Sequence, residues 1–209
     1  GLTRFSKGRF RTYTSKDGLA SDVILALRVD PDGMLWVATN GGLSRWADGR
    51  FETFSAATGL PSDSVTQVVE DARGDVWVGT SRGVSRVARA SLEAAASDPK
   101  SPLALESFDQ VDGMKSNQCT APGQPSAFRS RDGRLWFATT RGVATVDPAR
   151  PALDLRPASA VIEEVDLDGR PVPFDDGVEV PAGAARVTIL FARFSPLAPQ
   201  RTAVRFRLE

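Results

Sequence analysis

The feature that most constrains this chain is a unit met three times: DGMLWVATNGGLSRW at Asp32 to Trp46, GDVWVGTSRGVSRV at Gly74 to Val87, and DGRLWFATTRGVATV at Asp132 to Val146. Its tryptophans, Trp36, Trp77 and Trp136, recur at intervals of 41 and 59 residues, and Gly1 to Phe5 align with Gly42 to Trp46 at the same 41-residue spacing. A period near 40 residues describes supersecondary units that cannot bury their apolar faces alone and must stack.

The second copy is the clearest. Val65 to Glu70 reads as a strand, followed by a turn at Asp71 to Gly74, a second strand at Asp75 to Thr80, a tight turn at Ser81-Arg82-Gly83, and a third strand at Val84 to Val87. The fourth strand is visible in the preceding unit as Arg50 to Phe54, reached through Asp48-Gly49, where glycine tolerates positive φ. Four strands in one repeat predict a propeller blade. The longer second interval adds material between Val87 and Phe108, where Ser91 is expected to cap a short helix over Leu92 to Ala96. After Pro148 and Pro151 the repeat stops, and strands are expected at Val161 to Leu167, Val178 to Val180, Arg186 to Phe194 and Thr202 to Leu208. These are too few for a complete sandwich. The expected fold is all-β: a partial β-propeller of four-stranded blades over 1–152, with a partial blade at 1–14 and about three blades after it, then an incomplete Ig-like β-sandwich over 157–209.

Charge and composition narrow the function. Lys plus Arg equal Asp plus Glu at 26 each, so no electrostatic footprint for a phosphate backbone exists and nucleic acid is not an expected partner. There is no histidine, which removes the commonest general base and metal ligand; no metal, cofactor or catalytic residue is expected. Cys119 stands alone and reads as a small packed hydrophobe. No stretch approaches the roughly 20 apolar residues of a membrane helix.

The repeats resemble the two-component regulator propeller repeats of bacterial sensor proteins. The matching residues are Gly59-Leu60-Pro61, Val65 to Asp71, Gly74, Val76 to Thr80 and Gly83 to Arg86; the last unit, with Asp112-Gly113-Met114, Asn117-Gln118-Cys119, Gly123-Gln124-Pro125 and Leu135-Trp136-Phe137, looks like a final blade. Residues from about Pro157 to Glu209 are similar to the opening of the triple-tyrosine (Y_Y_Y) domain that follows such propellers, although Phe206 stands near where tyrosines are usual. The resemblance implies a non-catalytic, periplasmic or otherwise extracytoplasmic sensor module of an inner-membrane receptor, with a histidine kinase, hybrid kinase or GGDEF-type output elsewhere. Two other readings stand beside it: an interaction or dimerisation scaffold that takes no small molecule, and a propeller lyase of the streptogramin lyase kind, which relies on histidine and a metal.

In a propeller, the loops entering the innermost strands and those joining second to third strands share one face, the default ligand site. Here that face is expected to collect Asp22, Asn40, Asp63, Arg82, Asn117 and Arg141, a set of hydrogen-bonding groups suited to an oligosaccharide or another small polar molecule. The competing reading assigns Ser21, Ser62, Asp63 and Asn117 to turns, where such side chains bond to nearby backbone. Arg82 and Arg141, next to turn glycines, would then be merely solvated. Self-association through propeller or sandwich is expected because open propeller edges invite pairing.

Overall fold

The computed structural model describes residues 1–98, 101–121, 123–149, 159–174, 178–183 and 185–194. The chain divides into two compact units, Gly1–Arg150 and Pro151–Glu209.

In the first unit, β1 (Leu2–Ser6) and β2 (Arg9–Tyr13) form a hairpin. Blade I follows as β3 (Ile24–Val29), β4 (Leu35–Thr39), β5 (Gly42–Ala47) and β6 (Arg50–Phe54), hydrogen-bonded in that order and antiparallel throughout. Blade II repeats the arrangement with β7 (Val65–Glu70), β8 (Val76–Thr80), β9 (Gly83–Val87) and β10 (Leu105–Phe108). Blade III has β11 (Ala127–Arg129), β12 (Leu135–Thr139) and β13 (Gly142–Val146), three strands among the described residues instead of four. The glycine that opens each third strand records that difference. A methyl group on Gly42 or Gly83 would sit 2.3 or 2.2 Å from the carbonyl of Phe54 or Phe108 in the fourth strand, whereas Gly142 has nothing within 4 Å.

The inserted helix is longer than expected and starts earlier: α1 runs Arg89–Ser97 between β9 and β10. Ser91 does not cap it. Its hydroxyl lies inside the first turn and accepts from the Ala104 backbone N–H at 2.7 Å, tying the returning chain to the helix.

Blades pack face to face through three apolar seams. Between blades I and II, Trp36, Ala38 and Leu43 meet Val65, Val68, Val76 and Val78, with Leu92 and Ala95 of α1 closing the outer end. Between II and III, Val69, Trp77 and Val84 meet Cys119, Leu135 and Phe137. Against the first hairpin, Tyr13 and Leu19 meet Val37 and Phe51. Burying one such side chain is worth about 1.5–3 kcal/mol, so each seam outweighs any single surface contact. The three tryptophans are core, as expected, but not equally: Trp36 and Trp77 are buried, while Trp136 on blade III is half-buried and stacks on Phe128, itself exposed.

In the second unit, β14 (Ser159–Leu167) pairs with β15 (Arg170–Pro171) on one side and β16 (Val187–Phe194) on the other. Asp168 (φ 51°) and Gly169 (φ 80°) make the hairpin turn, and the Asp168 carboxylate accepts from the Arg186 N–H at 2.8 Å. Val178 to Val180 carry no strand, which corrects the expectation there, and Thr202 to Leu208 lie outside the described residues.

The tryptophan ring N–H groups yield a test. Trp77 Nε1 donates to buried Asp71 at 3.0 Å and Trp136 Nε1 to Ser130 at 2.9 Å, but Trp36 Nε1 is buried without a partner. Trp77→Phe would orphan a buried carboxylate oxygen, while Trp36→Phe removes an already orphaned donor. Trp77→Phe is therefore expected to cost about 1–3 kcal/mol more than Trp36→Phe in urea unfolding. Equal costs would contradict this.

Candidate functional site

The connection into each innermost strand is built three times from the same parts. A 3-10 turn is opened by Thr14, Ser55 or Asp109, whose backbone N–H donates to the side chain three residues on: Asp17 Oδ2 at 2.9 Å, Thr58 Oγ1 at 2.9 Å and Asp112 Oδ2 at 2.8 Å. It ends on Gly18, Gly59 or Gly113 in the left-handed region. Next, Ser21, Ser62 and Ser116 accept from the backbone N–H two residues later, at 3.1, 3.2 and 3.2 Å. Lastly, Asp22, Asp63 and Asn117 reach back to accept from the first N–H of the 3-10 turn, from Ser15 at 2.6 Å, Ala56 at 2.7 Å and Gln110 at 2.8 Å.

The turn joining second to third strands is equally regular. Thr39, Thr80 and Thr139 donate their hydroxyls to the carbonyls of Gly42, Gly83 and Gly142. The same hydroxyls accept from the N–H groups of Gly41, Arg82 and Arg141. Within each blade the two connections touch, through Asn40 N–H to the Val23 carbonyl at 3.4 Å, Ser62 to Ser81 at 3.2 Å, and Ser116 to Thr140 at 2.9 Å. The six residues expected at the ligand face thus lie on one face of the blades. They divide into two groups. Asp22, Asp63 and Asn117 are engaged with backbone, whereas Asn40, Arg82 and Arg141 are exposed, with side chains that make no hydrogen bond or ion pair to any described residue. Arg141 also lines a cavity of about 320 Å³ with Asp112, Met114, Lys115, Thr139 and Val143.

Three features escaped sequence reasoning. Gln67, fully buried on β7, donates from Nε2 to the Thr120 carbonyl at 2.5 Å and the Ala138 carbonyl at 2.7 Å, tying blade II to blade III. Gln124 donates to the Leu25 carbonyl at 3.1 Å, tying blade III to blade I. On the opposite face, Arg89 of α1 reaches Asp30 at 2.9 Å, Asp32 at 3.3 Å and Glu70 at 3.7 Å. Burial and then the neighbouring Asp30 carboxylate push the Glu70 carboxyl up to about 7. Burial likewise pushes the Cys119 thiol up to about 11, so it stays a packed thiol. Among the described residues no group of three or more His, Cys, Asp or Glu could hold a metal ion, and no helix is long and apolar enough to cross a membrane.

Four-stranded antiparallel blades packed face to face, with one face of regular polar loops, define a β-propeller arc. Residues 18–41 and 59–82 match the two-component regulator propeller family. Among solved structures it resembles the extracellular domain ascribed to a hybrid two-component system of B. thetaiotaomicron, with 18% identity and a TM-score of 0.63 over 79% of this chain and 22% of that one. The chain therefore spans 22% of that protein's length. More distant likenesses are a virginiamycin B lyase from Staphylococcus aureus (16% identity, TM-score 0.41, 76% of this chain and 51% of that one) and the extracellular domain ascribed to a one-component system of B. thetaiotaomicron (14%, 0.39, 80% and 26%). No curated protein matches the chain.

The repeated latch makes a quantitative expectation. Asp63→Ala frees the Ala56 N–H and is expected to cost about 0.5–2 kcal/mol, as loss of a helix cap does. Asp63→Asn keeps an acceptor of the kind Asn117 supplies in blade III and is expected to lie within about 0.5 kcal/mol of the unaltered protein. Chemical denaturation of the two variants checks this.

Proposed function

We propose that the chain is the ligand-recognising part of an extracytoplasmic signalling receptor, acting by binding and not by catalysis. The observation that carries the reading is the division of labour on the loop face. One set of polar side chains is spent on holding the loops, and a second set, Asn40, Arg82 and Arg141, is left exposed on that rigid frame. Arg82 and Arg141 hold equivalent turn positions in adjacent blades, each immediately before the glycine that opens the third strand. Guanidinium groups carried on stiff turns suit hydroxyl and carboxylate groups, so an oligosaccharide carrying acidic sugars is the ligand class that fits. The family match supports the receptor setting, and the absence of histidine from the sequence speaks against the metal-assisted elimination of propeller lyases. The second unit fits the start of the triple-tyrosine domain expected after such a propeller.

A scaffold reading has its own observation. Phe128 and Val143 of blade III and Leu27 and Val29 of β3 are exposed apolar side chains, and β13 has no outer strand partner among the described residues. A second copy, or further blades in a longer protein, would cover them.

Thermal-shift measurement against neutral and uronate-containing oligosaccharides separates the readings, since stabilisation grows with ligand concentration over Kd. The ligand reading expects a concentration-dependent rise with the acidic set. That rise should be lost in Arg82→Ala and Arg141→Ala variants whose unliganded melting temperature is unchanged. No shift from any glycan, together with concentration-dependent dimerisation in light scattering, would overturn it in favour of the scaffold.

A further inference from the structure

The face opposite the loops carries a buried ionic cluster that the proposed binding role does not use. Glu70 ends β7 of blade II, Asp30 follows β3 of blade I, and Arg89 opens α1, the insertion that distinguishes blade II from its neighbours. The Asp30 side chain is fully buried and that of Glu70 is 4% exposed. The two carboxyl groups are close enough for Asp30 to raise the Glu70 pKa. The charged groups that act on Glu70 come from blade I and from α1. From β3 comes Arg28, whose Nε is buried and without a partner; from the β3–β4 turn come Asp30 and solvent-exposed Asp32; from α1 comes Arg89. Asp71 is committed to Trp77, and Asp75 holds Arg86 through Oδ2 while its Oδ1 accepts from the Arg89 backbone N–H at 3.3 Å.

Charge counting shows what a proton does here. With Glu70 neutral, Arg89 is balanced by Asp30. With Glu70 ionised, two adjacent buried carboxylates share one close guanidinium, 2.9 Å from Asp30 but 3.7 Å from Glu70, whose Oε1 has no hydrogen-bond donor. A buried, poorly paired charge is costly, and admitting water to it would lower that cost. The element that carries Arg89 is α1, a nine-residue helix held by Leu92 and Ala95 in the seam, by Arg89, by the Arg89 N–H to Asp75 and by Ser91 to Ala104.

We propose that the Asp30–Glu70–Arg89 cluster is a proton-operated latch between blades I and II, which holds α1 on the seam while Glu70 is protonated and loosens it once Glu70 ionises. The direction follows from linkage. The carboxyl titrates at about 7 in the fold against 4.5 for its ordinary value, so its proton stabilises the folded form. That stabilisation is complete below about pH 4.5 and is lost as pH rises to about 7 and just beyond.

The test is hydrogen exchange across the 209-residue chain between pH 5 and 8.5, corrected for intrinsic rates, alongside thermal unfolding, for the unaltered protein and Glu70→Gln. The unaltered protein is expected to lose protection in α1 selectively across neutral pH, and its folding equilibrium to weaken by up to about two orders of magnitude. Glu70→Gln, which stays neutral, should keep α1 protected and its melting temperature level over that range. Asp30→Asn, lacking the like charge, should shift the transition to lower pH. Identical pH profiles in the unaltered protein and Glu70→Gln would overturn the proposal, as would loss of protection spread evenly over all blades.

Discussion

A blade of four short antiparallel strands has two apolar faces and cannot hide either by itself. Everything else in the first unit depends on pressing those faces together, which is why the seams hold Trp36, Trp77, Val65, Val78, Leu135 and Phe137 with almost no exposure, half-buried Trp136 facing no described blade. The tryptophan lies in the second strand, the layer next to the innermost, where one large ring spans the gap to the next blade. Burial of Asp71 next to it follows from the same demand, because a ring N–H taken out of water needs an acceptor. In blade I the equivalent acceptor, Asp30, has been drawn to Arg89 instead, and Trp36 is left without one. The ionic cluster under α1 is thus built by diverting a residue from the repeat's own hydrogen-bond plan.

The seams also explain why the loop face is so regular. If each blade is fixed by its neighbours, its connections need only local hydrogen bonds to hold shape, and a seven-residue reach from Asp22, Asp63 or Asn117 back to the 3-10 turn suffices. A frame that repeats three times leaves the side chains of Asn40, Arg82 and Arg141 outside its own hydrogen-bond plan. Such positions are where a repeat protein acquires a binding preference.

Most of the architecture was legible because it is periodic. The strand bounds at Val65–Glu70 and Arg50–Phe54 followed from the turn residues beside them, and the blade assignment from the tryptophan interval. The candidate site was legible only in part. The sequence placed Asp63 and Asn117 in the loops that enter the innermost strands but could not choose between a ligand and a turn, since the same side-chain oxygen serves either. A signal was present in Thr14, Ser55 and Asp109, each followed three residues on by an acceptor and then by glycine, the signature of a capped turn. Glu70 and Arg89 were not legible, because they are far apart in the chain and meet only across a seam. Ser91 misled for a related reason: a serine before a helical run reads as a cap, yet here the helix begins two residues earlier and the hydroxyl serves Ala104.

The departures from the repeat are the most informative places, since seam packing alone would reproduce each blade unchanged. In blades I and II the innermost strand carries one extra residue, where the register shifts between Ile24 and Ala26 and between Val65 and Gln67. In blade III the same point opens much further: Cys119 pairs with Thr139, while the Ala138 N–H bonds to the Ser126 carbonyl. From the residues between come Thr120, whose carbonyl accepts from Gln67 of blade II, and Gln124, whose amide reaches Leu25 of blade I. Three innermost strands are thereby cross-tied by side-chain amides donating to backbone carbonyls, in a place where apolar contact alone would let blades slide. Buried amide bonds are directional and demand one register. Together with the ionic seam under α1 they fix how blades I to III are set against one another, so the loop face that results is a rigid array and not a set of independent turns.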